Sequence, residues 1–460
     1  MTQTAGSAED QAPPWETLQR LIDAQDRPAA QAFVQGVPAG DLPRLLSLLG
    51  NEESARLLEM LEPTTSGFLM ESIPEAQAAE VLGELDSDKA AEIVAHLPSN
   101  EQADLIASLP DDEAQAILEQ MPPEDAADAE RLAQYPEGTA GALMITEYLS
   151  FPHDVTVGAV LQDLRQNTER YQRHDVQYIY VTDAAGILRG VLRLRDLVLT
   201  PERTPVEQIM ITAMEAVPVQ APLATLRDFF AARSYRGVPV TDRAGRLVGV
   251  VRHADVAEAV GEREVSDHLK AQGIVGGEEL RTMPTLTRAW RRLSWLSINI
   301  LLNIMAASVI AFYQETLAAV IVLAVFLPII SDMSGCSGNQ AIAVSMREIT
   351  LGLIRPSDAL RVWSKELAVG LINSVALGTL LGLAAYFWQG NIYLSLVVGL
   401  ALAVNTIVSV SLGGLVPLFL RGMRFDPALA SGPILTTVTD MCGFFLVLSF
   451  ASAMLPLIGG

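Results

Sequence analysis

The sequence is 460 residues long and half hydrophobic, with 54 acids against 31 bases and a formal net charge of −23. That balance argues against nucleic acid as a partner and favours cations. Both cysteines, Cys336 and Cys442, lie in the apolar C-terminal part, so the remainder has no disulfide framework. From Arg291 onward eight bases stand beside seven acids, net +1, which leaves net −24 on residues 1–290.

Residues 1–15 form a small, polar, acidic opening with no signal-peptide core, which reads as a disordered tail. The acidic half is therefore expected to stay in the cytoplasm. Over residues 16–133 apolar pairs recur every twelve positions: Leu45-Leu46, Leu57-Leu58, Leu69-Met70, Val81-Leu82, Ile93-Val94, Leu105-Ile106 and Ile117-Leu118. Pro74, Asp86, Pro98, Pro110 and Pro122 punctuate the same step. Units this short predict helices of two or three turns, ended by proline and stacked into a helical superhelix. Its acids, Asp104, Asp111, Asp112 and Glu113 among them, read by default as a solvated surface.

Residues 134–262 predict α/β structure. DVQYIYVTDAAGILRGVLRLRDLV and SYRGVPVTDRAGRLVGVVRHADV share one plan: strand, acidic-glycine turn, strand, then an aspartate opening a helix. The two units resemble a tandem pair of CBS domains, a fold that commonly binds adenine nucleotides such as ATP. The resemblance points to Asp196 and Asp255 for nucleotide contact. Arg193 and Arg252 stand where that family carries Ser or Thr, and an arginine there could contact phosphate instead. Asp255 to Glu279 reads as an acid-rich link, and residues 263–290 are expected to form a connecting helix.

From residue 291 to 460 five apolar segments can be drawn, at 293–312, 317–344, 367–388, 392–420 and 429–457, each long enough to meet a bilayer. Arginines and lysines cluster before the first, between second and third, and between fourth and fifth, while YQET and WQGN carry no base. The positive-inside rule then puts the N-terminus in the cytoplasm and the C-terminus outside a bacterial-type inner membrane. In the second segment, Pro328 removes a backbone donor and Gly335 and Gly338 invite close approach or local unwinding, which would free carbonyls for an ion, and Ser331, Ser334, Ser337, Asn339 and Gln340 add neutral oxygens. Asp332 is one intramembrane acid. The other, Asp440, has no base in its segment and is flanked at helical spacing by Thr436, Thr437 and Gly443. A carboxylate at such depth is disfavoured by about 2.5–3.5 kcal/mol and normally meets water, a partner or an ion. Either a cation path or a protonated aspartate bonded to another helix satisfies that requirement.

Zinc chemistry and ATP-driven pumping are not supported. The histidines, His96, His153, His174, His253 and His268, sit outside the apolar half without ligand spacing, and neither His-Glu-x-x-His nor GxxxxGK[ST] occurs.

The order of parts, the QYPEGTAGALM junction, the SGCSGNQ run and DPALASGPILTTVTD together resemble the MgtE magnesium channels over nearly the whole chain from about residue 16. Cys336 replaces the first Asn of the family's Gly-Asn-x-Gly-x-Gln signature, and Gly432 stands where some members carry Asn. The resemblance implies no enzyme but a homodimer in the lipid bilayer, with a pore on its two-fold axis lined by the second and fifth membrane helices. On that mapping Asp440 is the ion-site carboxylate, with Asn339 and Thr436 nearby and Asp332 a further candidate. It also implies that the connecting helix plugs the pore when Mg2+ binds between acidic cytoplasmic faces. Asp255, Glu258, Glu262, Glu264 and Asp267 are the candidates for that regulatory site. Three classes compete: a Mg2+-gated channel, a Mg2+/Na+ or Mg2+/H+ antiporter, and a CBS sensor that transports nothing.

Overall fold

The structure, a computed structural model, describes residues 13–168, 171, 174–423 and 425–458. Most of the expected tail, and Arg424 of the last basic loop, lie outside these residues. The chain divides between residues 263 and 264 into two compact units, with 280–284 returning to the first.

In the first unit α1 (Pro14–Asp23), α2 (Arg27–Gly36) and α3 (Leu42–Leu49) precede the regular repeat. The next seven helices, α4 (Asn51–Met60), α5 (Pro63–Glu71), α6 (Glu75–Gly83), α7 (Ser87–Val94), α8 (Ser99–Ser108), α9 (Asp111–Leu118) and α10 (Pro123–Ala133), begin twelve residues apart from one another. The prolines open helices rather than end them. Pro74, Pro98, Pro110 and Pro122 occupy the N-cap position, where a missing N–H is harmless, and their carbonyls accept the first helical bonds at 2.9 Å. From α4 to α8 each helix packs on the second one after it, burying Leu57, Val81, Ile93 and Val94 completely. The repeat thus makes one continuous core, because no single helix could bury its own stripe.

After α11 (Ala140–Leu143) come two three-stranded sheets. The first orders β1 (Tyr148–Pro152), β2 (Asp175–Thr182) and β3 (Leu188–Arg193), with β1 parallel and β3 antiparallel to β2. The second repeats that order with β4 (Val217–Pro218), β5 (Gly237–Thr241) and β6 (Leu247–Arg252). Helices α12 (Val157–Gln166), α13 (Leu194–Leu199) and α14 (Leu223–Ala232) accompany them. Each hairpin turns on an aspartate whose Oδ1 accepts two backbone N–H groups, Asp183 from Ala185 and Ile187, Asp242 from Ala244 and Arg246. Gly186 and Gly245 supply the positive φ, 76° and 81°, that these turns require, and the turns then bond each other through Leu188 N–H to Gly245 O and Leu247 N–H to Gly186 O.

Helix α15 (His253–Ala271) follows β6 directly and runs through the expected boundary at 262/263. The connection is therefore not one helix over 263–290. It consists of the end of α15, a non-helical stretch and the start of α16 (Thr285–Phe312).

The second unit continues with α17 (Gln314–Ala319), α18 (Leu323–Thr350), α19 (Ala359–Gln389), α20 (Ile392–Gly422), α21 (Pro427–Ala453) and α22 (Leu455–Ile458). Among the described residues four helices are long and apolar enough to cross a membrane, over Thr285–Phe312, Pro356–Gln389, Ile392–Gly422 and Pro427–Ala453. The expected count of five is not reproduced on that measure. Helix α18 has 28 residues, but its serines, Asp332, Asn339 and Gln340 break the apolar run. Helix α20 is central and packs on α18, α19 and α21.

The predicted unwinding of α18 is absent: the helix passes through Pro328, Gly335 and Gly338 without a break. Gly338 serves close packing, since a Cβ there would run into Ser409 Oγ of α20 and lie 2.6 Å from Leu435 of α21. A bilayer favours such small-residue contacts over exposed carbonyls.

Candidate ion path and acidic regulatory face

Helix α21 starts at Pro427, with Asp426 accepting from Ala428 N–H as its cap. Three and a half turns on, Asp440 is 8% exposed and its Oδ1 accepts a hydrogen bond from Ser331 Oγ of α18. Thr436, one turn earlier, is exposed and bonds back to Gly432 O at 3.0 Å. Gly443 departs from the expected polar face, for it meets α20: a Cβ would stand 2.7 Å from Asn405 Nδ2. On α18, Asp332, Cys336 and Asn339 are all exposed, at the i, i+4, i+7 spacing of a single helical face. Within one chain this polar stripe is uncovered, whereas Ser334, Ser337 and Gly338 on the other side are buried against neighbours. Among the described residues no three His, Cys, Asp or Glu side chains are grouped to hold a metal.

The regulatory candidates distribute unevenly. In the first unit, α15 brings Asp255, Glu258 and Glu262 towards acids of the superhelix. Burial, then Glu71, with Glu258 and Asp255 adding and Arg252 opposing, pushes Glu101 up to about 8. Burial, then Glu137 and Glu262, pushes Asp104 up to about 7. Asp104 is therefore not the solvated surface acid expected, whereas Asp111, Asp112 and Glu113 are exposed. Asp255 is buried and held by Arg252 at 2.8 Å, so part of its charge is already neutralised. Glu264 and Asp267 belong to the second unit, where Lys270 of the same helix end pairs with Asp426 at 3.3 Å. Sequence reading missed Glu71, Glu101 and Glu137. The signal for Glu71 and Glu101 was an acid in the last or first turn of a repeat helix, which period alone cannot separate from solvation, whereas Glu137 lies in the turn after α10.

In the paired sheets a cleft of about 400 Å³ is lined by Tyr178, Tyr180, Tyr235, Arg193, Glu215 and neighbouring apolar residues. Neither nucleotide candidate lines it. Asp196 pairs with Arg195 at 3.5 Å and Asp255 with Arg252, while Arg193 does reach the cleft.

Long apolar helices, a carboxylate hydrogen-bonded between α21 and α18, and an acidic N-terminal unit with two matched sheets define a multi-pass membrane protein with large N-terminal domains. Residues 327–450 match the MgtE divalent cation transporter family, 37–138 the MgtE intracellular N domain and 206–262 the CBS domain. The magnesium transporter MgtE of Thermus thermophilus is 33% identical over 331 residues, 72% of this chain and 73% of that one. The Enterococcus faecalis magnesium transporter MgtE is 31% identical over 332 residues, 71% and 72% of the two chains. Among solved structures, the cytosolic domain of the Mg2+ channel MgtE in complex with ATP is 29% identical, with a TM-score of 0.49, and covers 53% of this chain and 99% of that one. The chain belongs to the MgtE family of magnesium transporters. It is thus a membrane transporter of divalent cations and not an enzyme.

Proposed function

We propose that two copies of the chain form a Mg2+ channel whose path runs between their α18 and α21 helices and closes when cytoplasmic Mg2+ binds the acidic unit. The observation that carries this reading is the uncovered polar stripe Asp332, Cys336 and Asn339 on a helix whose opposite side packs in an apolar unit. Facing lipid, such a stripe is strongly disfavoured; facing its own copy across water, it is not. Two Asp440 carboxylates then supply charge −2 for one divalent cation, and neutral oxygens such as Asn339 and Thr436 suit an ion that keeps much of its water shell.

The raised Glu101 and Asp104 support the gating half. Acids crowded in this way repel when ionised, and a divalent cation reverses the sign. Glu258 and Glu262 are the stronger candidates, Asp255 the weaker because of Arg252, with Glu264 and Asp267 acting from the end of α15. The tyrosine and Arg193 cleft suits an adenine nucleotide such as ATP, stacked on an aromatic face with phosphate near the guanidinium.

Exchange remains a distinct reading, favoured by Asp332 as a second exposed carboxylate on the stripe. Mg2+ uptake into liposomes holding the purified protein separates them. Uptake driven by the Mg2+ gradient alone, indifferent to imposed Na+ and H+ gradients, is expected; dependence on either counter-ion establishes exchange. A short bis-maleimide should also link two copies through Cys336, and its failure in membranes contradicts the two-copy path.

A further inference from the structure

The apolar middle of α20 is interrupted by an amide, Asn405, which is fully buried. Its Nδ2 donates to Ser334 Oγ of α18 at 2.6 Å and to the Thr439 carbonyl of α21 at 3.0 Å. Turning the amide over would set its oxygen against the Thr439 carbonyl, acceptor against acceptor, so the chemistry assigns the nitrogen to this side. The oxygen, Oδ1, has no hydrogen-bond partner. A buried unpaired acceptor is disfavoured, and an apolar side chain of the same size would serve packing alone better.

What the amide adds is two bonds, and both end beside Asp440. Thr439 directly precedes it in the chain. Ser334 lies one turn beyond Ser331, the residue that donates to the Asp440 carboxylate. Ser409, one turn further along α20, reinforces the same point by donating to the Ser334 carbonyl at 2.5 Å. Helix α21 comes this close because residue 443 has no side chain; a Cβ there would stand 2.7 Å from Asn405 Nδ2.

We propose that Asn405 is a positioning residue for the ion site: it ties the backbone bearing Asp440 to the α18 turn that holds the carboxylate, and so sets where that carboxylate meets the cation. The inference rests on the reading of Asp440 as the ion-site carboxylate. Without the amide the three helices still pack, but the register of α18 against α21 at Asp440 relaxes. Affinity and selectivity then change more than maximal rate or folding.

Full-length Asn405→Leu, Asn405→Asp and Ser334→Ala proteins, with Asp440→Ala as reference, test this in liposomes. The readouts are Mg2+ half-saturation, maximal rate and Mg2+/Ca2+ discrimination, beside the thermal transition in detergent. Asn405→Leu should raise half-saturation about tenfold, as loss of a supporting partner does at metal sites, and reduce discrimination, with an unchanged thermal transition. Ser334→Ala, which leaves the Thr439 bond intact, should move the same quantities less. A folded Asn405→Leu protein with wild-type half-saturation and discrimination overturns the proposal. If that variant does not fold, wild-type values in both Asn405→Asp and Ser334→Ala overturn it instead. Normal transport by Asp440→Ala sinks the reading of Asp440 itself, whereas loss there with all other variants normal sinks only the role of Asn405.

Discussion

Glu101 and Asp104 of the first unit and Asp440 of the second are shielded from water in opposite ways. In the first, Glu101 and Asp104 are half-buried among other acids, with Arg252 as the opposing charge near Glu101, and their proton affinity rises accordingly. In the second, Asp440 is held by Ser331 inside a seam of donors and close glycine contacts. Crowded like charges make a face that changes with its ionic surroundings. A hydrogen-bonded carboxylate in a packed seam makes a fixed site. Sensing and conduction need these two properties respectively.

The packed seam should be the more brittle. Gly443→Leu forces a side chain into Asn405 and Ile330, and overpacking of this kind destabilises by about 1–3 kcal/mol. Gly432→Ala, where a Cβ meets nothing within 4 Å, should leave the thermal transition in detergent unchanged. Equal behaviour of the two would remove the distinction between packed and open faces.

The acidic face should respond to charge rather than to shape. Mg2+ should protect the wild-type acidic unit from protease, and Glu101→Gln with Glu258→Gln, which removes two of the crowded acids, should raise the Mg2+ needed for that protection by about tenfold. An unchanged Mg2+ requirement would leave this face outside the regulatory site.

Its pH dependence has a definite sign. Glu101 lies at about 8 against an ordinary 4.5, and Asp104 at about 7 against 3.8, so the folded chain keeps protons that the unfolded chain has released. Without divalent cations, stability of this unit should therefore fall as pH rises from about 5 to 8, and Mg2+ should restore it most at the upper end. Proteolysis rates across that range check both arms; greater stability at pH 8 than at 6 without Mg2+ contradicts them.

A smaller effect is expected at Asp332, exposed on the α18 stripe two turns before Asn339. Asp332→Ser should change the Mg2+ half-saturation by about two- to fivefold while transport persists, the scale of a charge acting through water. Complete loss of transport in a folded protein would rank it above Asp440.

Much of this contrast was legible in the residues. The twelve-residue step predicted the spacing of α4 to α10, because each helix must bury the same stripe, although its prolines were read as helix ends, and Asp440 stood out as a lone charge in an apolar run. The acidic face was not legible. Period 3.6 tells which side of α8 is apolar, but not that Glu101 and Asp104 meet acids from α15, which depends on tertiary packing. Gly338 was ambiguous for a related reason: a glycine permits unwinding and close approach alike, and only the neighbouring Ser409 and Leu435 decide for approach. Asn405 offered a usable signal, an amide amid apolar residues, yet its partners Ser334 and Thr439 lie 71 and 34 positions away.

The central claim is that Asp440 carries the cation. Mg2+ uptake into liposomes by purified Asp440→Ala, beside wild type and matched for thermal transition, tests it most directly. The account predicts that uptake falls to the protein-free background in a protein that folds and inserts normally. Uptake at the wild-type rate would contradict it and move the ion path away from α21.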